Sequence, residues 1–554
     1  MRGVCGIEEA SVSDGFEGAP FPLARLRARL AEGGPLGPQA LREFAAEHAL
    51  PVAEVRAALA SYADLAEPGP APRVCRGTSC QLFGAAALSA RLAGRGARGV
   101  YCLGHCDRSP VVLDERGRVH TRCGADPVEA LLGPPAAGGA ASSVRCLAPE
   151  PIVTRRIGRG DFSGLARARG DGAWTALEGA LHGSPGAVLD ALERSGERGR
   201  GGAGFSTGAK WRAAAAARGP QKYVIANGDE GDPGSFVDRV LLEHDPHGVL
   251  EGLALCAYAV GASRGVVFIR SEYPEAAARV ERAVEEAREA GLLGTELGGS
   301  RFSFDVRVFR GLGSYVCGEE TALLNAIEGR RGEVRLRPPY PVETGLWGCP
   351  TVVNNVETLV NVPWIVERGP EAFAAFGTDA SRGTKALCLN ATFPEPGIVE
   401  VAFGTSLREV LEGEGGLAMD RAHVEALLLG GPMGSVVLPE ECDVPICYRA
   451  LGARGIRLGH GGVVAVPAGA DLQALLLHHL EFMAHESCGK CVPCRAGSAR
   501  AFEVARTGGL ARAGEVAALL DVAEAASLCA FGQAMPAPLR RLLGLARAQA
   551  EARR

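Results

Sequence analysis

Gly199-Arg-Gly-Gly-Ala-Gly-Phe-Ser-Thr-Gly-Ala-Lys-Trp211 is a glycine-dense loop that runs into a helical pattern. Glycines let a backbone approach a phosphate closely and turn its N–H groups toward it. Thr207 is placed to cap the following helix, whose N-terminus favours an anion, and Arg200 and Lys210 add positive charge. The loop is not a Walker loop, because G-x-x-x-x-G-K-[ST] is absent. Gly199, Gly201 and Gly204 do spell G-x-G-x-x-G. However, the preceding Leu192-Glu-Arg-Ser-Gly-Glu-Arg198 does not read as a buried strand, so that fingerprint lacks its Rossmann context. The residues alone leave a phosphate or nucleotide cradle of a less common kind, with a plain surface loop as the bland reading.

Downstream, Tyr223-Val-Ile-Ala226 reads as a strand. It is followed by Asn227-Gly-Asp-Glu-Gly-Asp-Pro-Gly-Ser-Phe-Val-Asp-Arg239. Open α/β sheets bind ligands at the carboxyl ends of their strands. Asn227 and Asp229 could therefore hold a heterocycle N–H or a sugar hydroxyl; a turn made of turn-forming residues is the alternative. Gly311-Leu-Gly-Ser-Tyr-Val-Cys-Gly-Glu-Glu-Thr321 sets Glu319 and Glu320 at a helix start. Carboxylates there can bind ribose hydroxyls and repel a 2′-phosphate. Val353-Asn-Asn-Val-Glu-Thr358 offers amides and a hydroxyl for a bound phosphate or ring.

Glu486-Ser-Cys-Gly-Lys-Cys-Val-Pro-Cys-Arg495 spaces Cys488, Cys491 and Cys494 as C-x2-C-x2-C. Three thiolates so close can hold three corners of a cubane iron–sulfur cluster, with Cys529 the candidate fourth ligand. Zinc sites favour paired C-x2-C hooks, which makes zinc the weaker reading here. Cys75 with Cys80, and Cys102 with Cys106, form two pairs. They fit a two-iron cluster, and zinc is a serious rival at that site.

The 554-residue chain is 47 % hydrophobic and 22 % charged, with net charge −5 and 17 cysteines. Its length sets a prior of roughly three to five domains. Nothing basic or aromatic-rich suggests nucleic acid. Without a recognisable signal peptide, the cysteines read as free thiols in a reducing cytoplasm. The longest apolar stretch, residues 252–269, is interrupted by Gly261, Arg264 and Gly265. It reads as a core helix followed by the buried strand Val266-Val-Phe-Ile269.

Residues 20–66 read as short helices, with Pro51 in the first turn of one of them. Residues 70–133 carry short β-like runs. Gly133-Pro-Pro-Ala-Ala-Gly-Gly-Ala-Ala-Ser-Ser143 has linker composition. An α/β region extends to about residue 380, residues 385–468 are strand-rich, and the chain is helical from Asp471, with Leu472, Leu475, Leu476, Leu480 and Met483 on one face. No internal repeat is evident.

Taken in order, segments 199–211, 226–239, 311–323, 326–358, 486–497 and 527–533 resemble the flavin- and NADH-binding subunit of respiratory complex I. The same subunit serves as the diaphorase of NAD-linked formate dehydrogenases and NAD-reducing hydrogenases. The likeness covers roughly residues 155–554. Residues 38–132 look like the thioredoxin-like two-iron subunit of those complexes, through Cys75-Arg-Gly-Thr-Ser-Cys80 and Tyr101-Cys-Leu-Gly-His-Cys-Asp-Arg-Ser-Pro-Val-Val112. The chain thus resembles a fusion of two subunits.

That resemblance implies an α/β multidomain fold. It has a helical segment (1–66), a thioredoxin-like [2Fe-2S] domain (67–133), a linker (134–154), a Rossmann-like FMN/NADH domain (155–384), a β-grasp-like domain (385–468) and a C-terminal helical bundle with a [4Fe-4S] cluster (469–554). It implies a cofactor-binding set of Gly199, Arg200, Gly201, Gly202, Ala203, Gly204, Thr207, Gly208, Lys210, Asn227, Asp229, Glu230, Asp232, Tyr315, Gly318, Glu319, Val353, Asn354, Asn355 and Thr358. Phe205 would stack on the NADH adenine, and Glu320 would bind a ribose and disfavour NADPH. Three departures stand out: Ala213 replaces a second aromatic, Asp232 replaces a glutamate, and Arg337 replaces a lysine. The Cys80–Cys102 spacing is also shorter than in the separate two-iron protein.

The implied activity is reversible hydride transfer between NADH and FMN, followed by one-electron transfer through the clusters to iron–sulfur partner subunits. The cofactor carries the chemistry and no side chain is a catalytic acid or base. Attachment to a membrane would come only through partners. Ala213 and the shortened N-terminal region motivate a second reading, a catalytically impaired assembly subunit, and a third is a flavin-free iron–sulfur carrier.

Overall fold

A computed structural model describes residues 23–34, 36–122 and 142–554. At its centre is a four-stranded, wholly parallel sheet in the spatial order Asp305–Arg310, Arg264–Ile269, Tyr223–Gly228, Thr351–Asn355. Numbered along the chain, that order is 3-2-1-4. The connection changes direction between the strands Tyr223–Gly228 and Thr351–Asn355. A crevice opens at the carboxyl ends of two such strands, because their connections leave on opposite sides.

Both faces of this sheet are covered, as its near-continuous apolar strands require. Val224, Ala226, Val267 and Ile269 face the helix Pro246–Val260 and its neighbours. All fifteen residues of that helix are buried. It lies so close to the helix Val356–Arg368 that a Cβ on Gly252 would stand 2.1 Å from the Leu359 carbonyl oxygen. Ile225, Val266 and Phe268 face the opposite way, against Leu26, Leu30, Leu41, Phe44, Val55 and Leu65. These belong to the helices Leu23–Gly33, Pro38–Glu47, Val52–Ser61 and Ala63–Ala66. Each fully buried leucine or valine contributes about 1.5–3 kcal/mol. The N-terminal helices are therefore the second cover of the parallel sheet. Pro51 is the N-cap of its helix, one residue earlier than the sequence suggests.

Residues 73–121 form a small mixed sheet in the order Arg98–Val100, Arg73–Cys75, Val111–Leu113, Val119–Thr121. A six-stranded mixed sheet runs Ser435–Val437, Val424–Leu429, Gly462–Pro467, Thr384–Leu389, Gly397–Ala402, Val144–Cys146. Side-chain alternation gives it two duties. Leu387, Leu389, Leu427 and Leu429 build its own core. Ala386 and Cys388 face the parallel-sheet domain, and Ala426 and Leu428 face the C-terminal helices. Those helices are Leu472–Glu486, Val492–Gly508, Ala513–Ala526 and Pro536–Ala552. No helix among the described residues is long and apolar enough to cross a membrane.

The linker expected over 134–154 needs correction. Residues 123–141 lie outside the described residues, but Val144–Cys146 is a strand paired with Gly397–Ala402. Just beyond it, the buried Glu400 carboxylate accepts the N–H groups of Ile152, Val153 and Thr154 at 2.8–3.0 Å. It also accepts the hydroxyls of Thr154 and Thr384 at 2.5 Å. Small residues at 138–143 suggest a tether, but the backbone beyond them finds sheet and carboxylate partners.

Candidate functional site

The glycine loop closes on itself. Gly199 N–H donates to Phe205 O at 2.9 Å and Thr207 N–H donates to Glu197 O at 3.0 Å. Gly202 and Gly204 take positive φ of 110° and 61°, which only glycine adopts without strain. Gly204 has no room for a side chain, because a Cβ would stand 3.1 Å from the Tyr448 ring. The backbone N–H groups of Gly201, Gly202 and Ala203 have no partner among the described residues. They are available to an anion.

One expectation about this loop is corrected. The helix Thr207–Ala216 is capped by Ser206, whose hydroxyl accepts from Ala209 N–H at 3.3 Å. Thr207 is its first helical residue, with a buried hydroxyl that has no hydrogen-bond partner among the described residues. Arg200 is anchored in the protein, with Nε and Nη1 left without a hydrogen-bond partner among the described residues. Its guanidinium is fully buried, pairs with Glu197 at 2.6 Å, donates to Arg382 O at 3.1 Å and lies over the Phe403 ring. Lys210 remains the loop's accessible cation, with Nζ 3.0 Å from Val353 O and 3.9 Å from Glu320.

The crevice between the first and fourth strands receives the next group. Asn227 and Asn355 are paired in register there. Asn227 donates to Gly318 O at 2.9 Å and accepts from Asp229 N–H. One Asp229 oxygen is buried with no hydrogen-bond partner among the described residues, and burial pushes its carboxyl well above the usual range. Glu319 caps the helix Glu320–Ile327, accepting from Thr321 and Ala322 N–H, while its other oxygen is buried without a hydrogen bond among the described residues and stands 3.6 Å from the Arg337 guanidinium. Gly318 sits against Asp229, where a Cβ would stand 3.2 Å from the Asp229 carbonyl oxygen. Buried acceptors left open are costly unless a ligand donates to them.

Other members of the expected set turn into the protein. Glu230 accepts the N–H groups of Asp238 and Arg239. Asn354 accepts from Trp211 Nε1, and Asn355 donates to Asp238. The Thr358 hydroxyl accepts from Arg200 N–H at 2.9 Å, which fixes the loop to the fourth strand's helix. Val353 is buried in the sheet, and Gly208 packs on the backbone of Glu193. Phe205 is 59 % exposed beside the loop. Glu320 stands at the entrance, paired with Arg337 at 2.9 Å.

Several residues that shape the site carry no local signal. His460 lies between Glu230 at 3.4 Å and Asp238 at 3.0 Å, a nitrogen toward each. Those carboxylates hold its pKa up at about 9 against the cost of burial. With a carboxylate facing each ring nitrogen, the three side chains form a buried charged triad. Arg270 bridges two regions, donating to Glu230 O at 2.6 Å and to Tyr101 O at 3.0 Å.

Tyr315 joins the crevice to the C-terminal cysteines. Its hydroxyl donates to Asp232, and its ring meets Phe482 and Phe531 at 5.1 and 5.7 Å. Its N–H donates to Glu486, two residues before Cys488. Cys488, Cys491, Cys494 and Cys529 share one packing cluster. Burial raises Cys494 to about 12 and Cys529 to about 11. In the N-terminal set, the Cys102 and Cys106 sulfurs are 3.4 Å apart, and Cys75 and Cys80 are buried beside them.

Residues 192–364 match the Nuo51 FMN-binding domain, and residues 474–553 match the NADH-ubiquinone oxidoreductase-F iron-sulfur binding region. The chain is 44 % identical over 361 residues to HndC, a subunit of the NADP-reducing hydrogenase of Solidesulfovibrio fructosivorans, covering 64 % of this chain and 74 % of that one. It is 44 % identical over 349 residues to the F 2 subunit of the NADH-quinone oxidoreductase of Rhizobium meliloti, covering 63 % and 83 %. A chain of an NAD+-reducing [NiFe]-hydrogenase in the H2-reduced state superposes with a TM-score of 0.79 at 31 % identity, covering 96 % of this chain and 92 % of that one. With these matches, the chain belongs to the family of NADH-quinone oxidoreductase F subunits and their hydrogenase counterparts.

Proposed function

We propose that this chain is an NADH dehydrogenase module, the electron-input component of a multisubunit redox complex. The observation that carries the reading is the strand-switch crevice. There the glycine loop, with its free N–H groups, packs through Gly201 on Asn355, Asn355 is in register with Asn227, and Asn227 donates to Gly318 O beside Asp229, which has an open carboxylate oxygen. Such a donor and acceptor set fits FMN, whose phosphate needs N–H groups and whose ring and ribityl chain offer N–H and O–H groups. When bound, FMN accepts a hydride from NADH and gives up its electrons singly.

This chain's own residues bind and position. Gly201, Gly202, Ala203 and Lys210 hold the phosphate. Asn227, Asp229, Gly318 and Glu319 orient the ring and chain. Tyr448, Arg200, Thr358 and Asn355 keep the loop and strand ends in place. Phe205 provides the adenine platform, and Glu320 with Arg337 receives the ribose. Ala213 leaves the second adenine face without an aromatic.

Cys488, Cys491, Cys494 and Cys529 hold a four-iron cluster. Four thiolates around one zinc at about 2.3 Å would bring every sulfur pair within about 4 Å. Among the described residues, neither cysteine set gathers three sulfurs within 4.8 Å of one another. The close Cys102–Cys106 pair suits two ligands on one iron of a two-iron cluster. The mixed sheet at residues 73–121 serves as its thioredoxin-like carrier. Iron–sulfur partners in the parent complex take the electrons onward.

The test is an anaerobic visible spectrum before and after NADH. Loss of a flavin band together with part of the broad iron–sulfur absorbance is the expected result. A preparation that takes up no FMN on reconstitution refutes the reading.

A further inference from the structure

A solvent-open cavity of about 310 Å³ lies between the turn after the helix Glu320–Ile327 and the cysteine loop Cys488–Cys491. It is lined by Asn325, Arg330, Arg331, Glu333, Arg335 and Lys490, four cations against one carboxylate. Some of these are already committed. Asn325 donates to Glu333 O at 2.6 Å and accepts from Arg335 Nε at 2.9 Å. Arg335 also donates to Gly345 O and pairs with Glu328 at 2.9 Å. Glu333 pairs with Lys490 at 3.0 Å.

The other two arginines are under-compensated. Arg331 Nε is buried without a hydrogen-bond partner among the described residues, and the Glu333 carboxylate stands 3.9 Å away. Among the described residues, the Arg330 guanidinium reaches only Glu328, at 3.5 Å, which already serves Arg335. Counting Glu328, four cations face two carboxylates. Two guanidinium forks with spare donors on one cavity match the geometry and charge of a tetrahedral oxyanion.

We propose that this cavity binds a phosphate-class dianion, separately from the glycine loop. Arg331 Nη2 donates to Cys488 O at 2.5 Å, and Lys490 lies within the cysteine loop itself. A bound dianion therefore offsets positive charge at that loop and disfavours adding an electron there. This consequence, unlike the site, rests on the four-iron reading.

The experiment is calorimetric titration of the full chain with inorganic phosphate, against chloride at equal ionic strength. Saturable phosphate binding is expected, weakened about 10-fold or more in Arg331→Gln, which removes a charge-assisted donor. Arg330→Gln, a change at a side chain that touches no cysteine loop, is expected to weaken it likewise. Absence of saturable binding in the parent chain, or unchanged binding in both variants, overturns the site. Redox titration of the cluster signal with and without phosphate tests the consequence. A shift to lower potential in the parent but not in Arg330→Gln is expected, and no shift in the parent overturns the coupling. A preparation without any cluster refutes the functional reading and leaves the calorimetry to decide the site.

Discussion

The guanidinium of Arg200 and the carboxylate of Glu197 form an ion pair at 2.6 Å with both side chains fully buried. The pair ties the two ends of the glycine loop's approach together, and Asn361 donates to the second Glu197 oxygen at 2.9 Å. Removing one partner leaves a buried charge uncompensated, a loss of about 3–5 kcal/mol. Arg200→Met is expected to lower stability by that order in urea denaturation. The double variant Glu197→Gln/Arg200→Met is expected to recover a large part, and a double variant as unstable as Arg200→Met would count against the pair.

His460 titrates with its carboxylate neighbours. Its folded pKa of about 9 lies above the ordinary 6.5. The stability it contributes is therefore fully present below pH 6.5 and lost as pH rises through 9. Burial and Asp238 raise Glu230 to about 7, and this too makes stability fall with rising pH, but over a lower window. Urea midpoints at pH 7.5 and 9.5 are expected to differ clearly in the parent chain and much less in His460→Gln.

Gly208 sits on the first turn of the loop's helix, where a Cβ would come within 2.8 Å of the Glu193 backbone. Gly208→Ala forces the helices Pro185–Ser195 and Thr207–Ala216 apart, at a cost of about 1–3 kcal/mol. A thermal midpoint equal to the parent's would show that the approach can relax freely.

Glu320 stands at the crevice entrance with a negative charge. Glu320→Gln is expected to raise kcat/KM for NADPH relative to NADH, because a 2′-phosphate no longer meets a carboxylate. The family includes members named for NADP and for NADH. An unchanged ratio would place specificity elsewhere.

Cys491→Ala is expected to abolish the four-iron signal while NADH still bleaches the flavin. The four cysteines share a packing cluster with Phe482, which meets the Tyr315 ring next to the crevice. If a folded variant no longer reduced its flavin, the order of electron flow would be reversed or the sites interdependent.

What the sequence conveys depends on how local each cause is. The strands Tyr223–Gly228 and Arg264–Ile269 announce themselves as apolar runs, because a sheet buried on both faces needs nothing else. The cysteine spacing and the glycine density are local too. The direction of the Arg200 charge is not, because a guanidinium beside a loop can turn either way, and Glu197 decides it. Ser206 and Thr207 are adjacent hydroxyls, and only backbone geometry chooses the cap. His460 and Glu230 meet only through the docking of the six-stranded sheet on the parallel one. No spacing rule reaches that far. The N-terminal helices show their apolar faces in sequence, but not which sheet face they cover.

The strand Val144–Cys146 has a consequence for how the protein can be divided. It closes one edge of the six-stranded sheet, and the residues after it satisfy the Glu400 carboxylate. A fragment starting at residue 155 would leave Gly397–Ala402 as an open edge, a template for pairing with other chains. It would also leave Glu400 buried with the Thr384 hydroxyl as its remaining donor among those named. The cut that yields a soluble flavin half lies upstream of residue 142, so the short strand travels with the C-terminal part in any two-piece version of this molecule.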